Sequence, residues 1–396
     1  MRKKYYSIPI ILILVINLYM TAKQFIADSY YGMAYHNGRD LNQAIGYLEK
    51  CIAIDSGSPL FHFSLGRVYL RKGLAEAAKR GEKNEWVRKS IDEFHKAIEL
   101  EPSNSDYHFH LGNSHIFLAY PPPFYRDLIQ NSFERTTVLN PTGVRHLYFI
   151  GIHYLNEFNR LKNMIQATDE IGPAHYKHYV EMSKDSYEFF FRKLLGVNEE
   201  YLGEILEKSF AVTQKYSDLK SIIRDTPEDH ALLARFLNSK GMWQEAKAEY
   251  REAINLEPTN PNHYFDFGYI FFTRGDFEKA IYWWQKQKMV DPGDRRAYLF
   301  LAYCYTRLRR FDDALGEIRK LISLYPKNIN YQIELIRTLL AAGRVDEAVD
   351  EYYKVIEKNP DLSKENYDRI IHYKKEGDYR KVANILNESL SRVPTR

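Results

Sequence analysis

Residues 227–260 read PEDHALLARFLNSKGMWQEAKAEYREAINLEPTN. The stretch closes on EAINLEPTN, and residues 96–104 carry nearly the same nine letters, KAIELEPSN. Downstream, prolines fall at Pro258, Pro292, Pro326, Pro360 and Pro394, each thirty-four residues after the last. The chain is therefore written in units of that length, and such a period marks an array in which each unit buries its apolar face on the next.

The places inside one unit have physical reasons. Ala234, Gly268 and Ala302, with Ala246, Ala280, Ala314 and Ala348, recur at matching places. They are small where two helices of a hairpin cross and their backbones must approach. Phe271, Trp284, Tyr305 and Tyr352 stand at helical spacing from them, so rings fill the space beside each crossing. Gly241, Gly275, Gly343 and Gly377 fall between the two helices, where a left-handed turn suits glycine. The prolines stop the second helix.

With these places set, the chain resembles the tetratricopeptide repeat, two antiparallel helices and a turn. In the unit opening at Pro261, Tyr264 takes the first aromatic place, Phe267 and Gly268 the next pair, Phe271 the following aromatic, Ala280 the small residue, Trp284 the bulky one and Pro292 the terminator. Earlier units are marked by Gly32, Gly66, Gly112 and Gly151, opening near Phe25, Pro59, Ser105 and Val144. The resemblance implies an all-α fold, a right-handed α-solenoid of stacked hairpins with a concave face. Residues 25–173 are expected to hold N-terminal units with insertions near Leu74–Trp86 and Pro121–Tyr125, residues 174–226 an irregular helical segment, and residues 227–396 five C-terminal units.

The N-terminus is of another kind. MRKKYYSIPIILILVINLYMTAKQF sets basic residues at 1–4 before an apolar run at 5–22, close to the ~20 residues that span a bilayer as a helix. The run predicts one transmembrane anchor ahead of the solenoid. Arg2, Lys3 and Lys4 on one side against Lys23 on the other predict a cytoplasmic N-terminus and an extracytoplasmic body, a single-pass inner-membrane protein.

Composition narrows the function. Lys and Arg number 56 against 52 Asp and Glu, a formal charge of +4 that gives no basic stripe for nucleic acid. The two cysteines, Cys51 and Cys304, form neither a disulfide framework nor a zinc site. Phosphate-loop, dinucleotide, serine-elbow and zincin signatures are missing from the sequence, so binding is expected rather than catalysis, with no cofactor or metal. His108 and His115 lie seven apart on one helix face but take places that hold rings in sibling units, and read as packing. His175 and His178 make no complete site.

Binding candidates are the first-helix places that the repeat leaves free and that the family's geometry turns to the concave side: Arg67, Arg71, Arg235, Tyr269, Tyr303, Arg307 and Arg337. Guanidinium grips planar oxyanions and tyrosine stacks while offering a hydroxyl, so the expected partner is a protein or peptide, with an acidic one suited to the arginines. The family's peptide-carboxylate clamp needs Lys and Asn at places that here hold Ser29, Met33, Phe265 and Tyr269, so chaperone tails are not implied. A membrane-anchored scaffold in cell-envelope or exported-polysaccharide assembly is the resulting expectation. The alternatives are a cytoplasm-facing adaptor of a membrane enzyme, and a sugar-binding or enzymatic site in 174–226.

Overall fold

A computed structural model describes residues 7–36, 38–80, 84–118, 123–167, 173–358 and 364–391. The described residues are helical throughout and contain no strand. They divide into two units, Met1–Glu199 and Glu200–Arg396.

Unit 1 holds four hairpins. α1 (Ser7–His36) packs on α2 (Leu41–Ile54), α3 (Pro59–Arg80) on α4 (Asn84–Leu100), α5 (Ser105–Leu118) on α6 (Pro123–Leu139), and α7 (Val144–Ala167) on α8 (Pro173–Val197). Each second helix also touches the next first helix. Three of the four glycines that mark these hairpins behave as their spacing demands, while a Cβ on Gly32 would meet nothing within 4 Å. A Cβ on Gly66 would stand 2.8 Å from Phe94, on Gly112 2.7 Å from Phe133, and on Gly151 2.5 Å from Phe191. The ring of the second helix thus occupies the space that the missing side chain leaves.

Unit 2 opens with a short helix pair, α9 (Leu202–Thr213) and α10 (Tyr216–Lys220), and continues as five hairpins. These are α11 (Pro227–Ser239) with α12 (Trp243–Leu256), α13 (Pro261–Phe272) with α14 (Phe277–Val290), α15 (Arg295–Arg307) with α16 (Phe311–Leu324), α17 (Ile329–Ala341) with α18 (Val345–Lys358), and α19 (Lys364–Lys375) with α20 (Tyr379–Ser391). Asn260, Asp294 and Asn328, one period apart, cap α13, α15 and α17 by accepting from the amides of Asn262, Arg296 and Asn330. Gly241, Gly275, Gly343 and Gly377 take φ between +72° and +80° in the hairpin turns. The unit without a turn glycine sets Arg309 at φ +59° instead. Ala246, Ala280, Ala314 and Ala348 are fully buried at the crossings, and one continuous core runs from Ala280 to Leu390.

Two expectations change. The stretch read as an irregular middle is divided: α8 is the second helix of the fourth hairpin, with Phe191 seated on Gly151, and α9 and α10 belong to unit 2. A separate transmembrane helix at 5–22, expected from the apolar run, is not found among the described residues. Among the described residues no helix is long and apolar enough to cross a membrane. Residues 1–6 lie outside the described ones, and α1 runs unbroken from Ser7 into the first hairpin. Hairpin packing begins at Ala27, fully buried, whose carbonyl accepts from the Cys51 thiol at 3.3 Å. Pro121 and Pro122 of the proline run lie outside the described residues, and Pro123 starts α6.

Candidate functional site

The first helices of unit 2 gather rings. Tyr269 and Phe272 of α13 lie 6.2 Å and 5.4 Å from Phe300 of α15, and Tyr303, one turn along α15, lies 5.3 Å from Phe272. Phe265 joins them at 5.2 Å from Phe300. Trp284 of α14 is the floor, fully buried, 4.9 Å from Phe300, with its indole N–H donating to the Phe265 carbonyl at 3.1 Å. These separations are those of edge-to-face and offset ring pairs. Tyr269 and Tyr303 remain 42% and 49% exposed on top of this shelf, which no scattered surface ring would need.

Beside the shelf a pocket of about 480 Å³ opens between α13, α15 and α17, lined by Phe272, Leu299, Phe300, Tyr303, Glu334 and Arg337. That volume suits a ligand group, being within the ~300–1,000 Å³ of ordinary sites. Its wall is mostly apolar, with Tyr303, Thr306 and Thr338 and one ion pair, in which Arg337 donates to Glu334 at 2.6 Å.

The arginines differ from their sequence reading. Arg235 stands 3.7 Å from Asp266, and Arg337 is held by Glu334, so two of the five arginines expected to grip an oxyanion already have carboxylates. Arg296 stacks on Phe265 at 4.7 Å while bonded to Asp294 at 2.6 Å and Asn262 at 2.7 Å. Burial pushes the Asp266 carboxyl up against the pull of Arg235. Arg307 lies over Phe277 at 5.8 Å. Tyr269, Tyr303 and Arg337 therefore come together at one shelf with its pocket. Arg67 and Arg71 belong to unit 1, where they line a smaller pocket of about 200 Å³ with Tyr31, Tyr35 and Ser64. Arg71 there donates to the Gly38 carbonyl at 3.0 Å, and Arg67 lies over Phe63 at 5.6 Å.

Sequence reasoning missed Phe272, Phe300 and Glu334. The first two resemble core residues in the repeat register, whereas Glu334 was open to discovery by its i,i+3 spacing from Arg337. It also missed a buried charged cluster. Glu249 of α12 is fully buried and bonds His230 at 2.5 Å, Lys220 at 2.9 Å and the Tyr216 hydroxyl. His230 is raised above its ordinary value by the Glu249 hydrogen bond, partly offset by burial. Burial alone would raise Glu249, but its bonds to His230, Tyr216 and Lys220 bring it below the usual range. Unit 1 repeats the pair, with His62 2.6 Å from Glu93. Closed off from solvent, Glu249 holds helices together and presents nothing to a ligand. His108 lies on the Pro102 carbonyl at 3.0 Å and His115 is buried, as packing residues. Among the described residues no three His, Cys, Asp or Glu converge as metal ligands.

Two descriptions of the tetratricopeptide repeat match the chain, at residues 31–57 and at 286–329 with 307–363. The CTR9 homolog of Arabidopsis thaliana is 24% identical over 54% of this chain and 19% of its own length. The TPR repeat-containing protein YpiA of Bacillus subtilis is 23% identical over 63% of each. The chain thus spans less than two thirds of both relatives. A solved MamA fragment from Desulfovibrio magneticus RS-1 is 19% identical over 44% of this chain and 94% of that one, with a TM-score of 0.32. With hairpins, turn glycines and caps in register, the chain carries tetratricopeptide repeats at the matched residues and the same hairpin pattern beyond them.

Proposed function

We propose that the protein is a binding scaffold, without catalysis of its own, whose aromatic shelf on α13 and α15 holds a segment of a partner polypeptide. One observation carries this reading: Tyr269 and Tyr303 stay exposed above a packed floor of rings beside a pocket of about 480 Å³. The partner's contact is an apolar or aromatic side chain in that pocket. Acidic character is secondary, since Arg235 and Arg337 are already neutralised by Asp266 and Glu334. Peptides selected from a random library on the full-length protein test it. Tyr269→Ala with Tyr303→Ala should weaken them at least tenfold, from ring contacts of about 0.5–1.5 kcal/mol each beyond the buried area. Equal binding to the double variant would refute the site.

The proposal keeps the N-terminal part of α1 in lipid. Leu12, Ile13, Leu14 and Val15, four consecutive residues and so a full helical turn, are all more than half exposed. A protein partner covers one face of a helix, whereas lipid covers every face. In this reading the hairpins lie outside the cytoplasm. An alkaline phosphatase fused at the C-terminus should be active, and an inactive fusion would favour the cytoplasm-facing adaptor.

A further inference from the structure

In α3, α5, α13 and α15 the fourth residue of the first helix follows one rule. Counted from its helix start, it reaches back to the carbonyl six residues earlier: Tyr264 to Pro258 at 2.9 Å, Tyr298 to Pro292 at 2.8 Å, His108 to Pro102 at 3.0 Å and His62 to Ser56 at 3.1 Å. In each a ring fills the seam between hairpins while its polar tip satisfies the turn. Tyr264 and Tyr298 are 9% and 3% exposed.

α17 breaks the rule. Its fourth residue is Gln332, whose amide still lies on the turn, 3.3 Å from the Pro326 carbonyl and, turned over, 3.0 Å from that of Asn328. The polar tip is kept and the ring is lost. Where the ring would stand, a pocket of about 650 Å³ opens at the seam of α16, α17 and α18, against Ile322, Ile329 and Leu335. Its rim is cationic, since Arg319, Lys327 and Lys354 line it against one carboxylate, Glu351. Glu351 takes Lys354 at 2.7 Å and Glu347 lies 3.8 Å from Arg319. Lys327 has no acidic partner among the described residues. In the preceding hairpin the same seam is closed by the Tyr298 ring, with Lys288 lying 5.2 Å over it and bonded to Glu317 at 2.6 Å. Neither closure exists at Gln332.

From this missing ring and the excess of positive charge around it, we infer that the seam between α16, α17 and α18 is a second binding site, one for an aromatic side chain of a partner polypeptide flanked by acidic residues. The ring takes the place that tyrosine holds in sibling hairpins, and the flanking carboxylates meet Lys327 and Lys354. The site shares no lining residue with the shelf on α13 and α15 and stands or falls apart from it.

The test uses full-length protein and a fluorescent peptide with one phenylalanine between two aspartates, followed by anisotropy. The wild type should bind it saturably, and the same peptide with lysines in place of the aspartates at least tenfold more weakly. Gln332→Tyr should lower affinity at least tenfold without lowering the thermal midpoint, because the new ring occupies the space. Lys327→Glu and Lys354→Glu, both surface changes, should each weaken binding several-fold, and Tyr303→Ala should leave it unchanged. Unaltered binding to Gln332→Tyr, equal binding of the lysine peptide, or no saturable binding would overturn the site. Phenylacetate bound as tightly as the peptide would overturn the polypeptide as its ligand.

Discussion

Replacing Gly268 with alanine tests the packing of the repeat where two effects oppose. Alanine favours a helix over glycine by about 1 kcal/mol, so in open space the change stabilises. At Gly268 the new Cβ would stand 2.6 Å from the indole nitrogen of Trp284 and 2.8 Å from its Cδ1. The ring cannot withdraw. It is fully buried, its N–H is bonded to the Phe265 carbonyl at 3.1 Å, and Phe272 and Phe300 lie 5.5 Å and 4.9 Å away. Overpacking costs about 1–3 kcal/mol, and against an indole that cannot move the upper part of that range applies, so after the helical gain a net loss of up to about 2 kcal/mol is expected. Gly32 is the control. A Cβ there meets nothing within 4 Å, and Gly32→Ala should gain about 0.5–1 kcal/mol. Urea midpoints of the two variants and the wild type decide. A Gly268→Ala protein as stable as the wild type would refute the argument that the glycine exists to admit the tryptophan.

Glu249→Gln should cost about 3–5 kcal/mol, because it leaves His230 and Lys220 charged beside a buried neutral amide; chemical denaturation at neutral pH checks this. The same cluster sets a pH window. His230, raised in the folded state, contributes stability that is full below its ordinary value near 6.5 and is lost as pH rises through the folded value. Glu249, lowered, contributes above about 4.5 and loses it as pH falls through its own folded value. Denaturant midpoints should therefore peak in mildly acidic to neutral solution, and Glu249→Gln should flatten that profile. Arg309→Gly should stabilise by about 1 kcal/mol, since a left-handed non-glycine residue is disfavoured, while Gly343→Ala at φ +74° should destabilise by a similar amount; thermal melts of the pair give the signs.

The hairpins were legible because their determinants are local: a small residue, a ring on the facing helix, a turn glycine and a cap, recurring every thirty-four residues. The second helix of the fourth hairpin escaped, since α8, at 25 residues, departs from the 13- or 14-residue second helices of unit 2 and carries no terminating proline at the expected place. The anchor was read from hydropathy alone, and continuity of α1 with the first hairpin is a property of backbone that composition does not carry. Of the site, Tyr269 and Tyr303 were recoverable from register. The neutralised state of Arg235 was not, because Asp266 lies on the next hairpin and the pair exists only once hairpins stack. The vacancy at Gln332 follows from a comparison of fourth residues, yet its cationic rim draws on two separate helices and a turn.

The central claim is that rings, and not arginine charge, hold the partner at the shelf on α13 and α15. Salt decides between them, because exposed charge pairs are screened within about 10 Å at 0.1 M while apolar contacts are not weakened. For a peptide selected on the full-length protein and lost on Tyr269→Ala with Tyr303→Ala, affinity measured from 0.05 M to 0.5 M sodium chloride, on the order of one decade of salt, should change less than about threefold. A fall of tenfold or more across that range would contradict the account and return the site to its arginines.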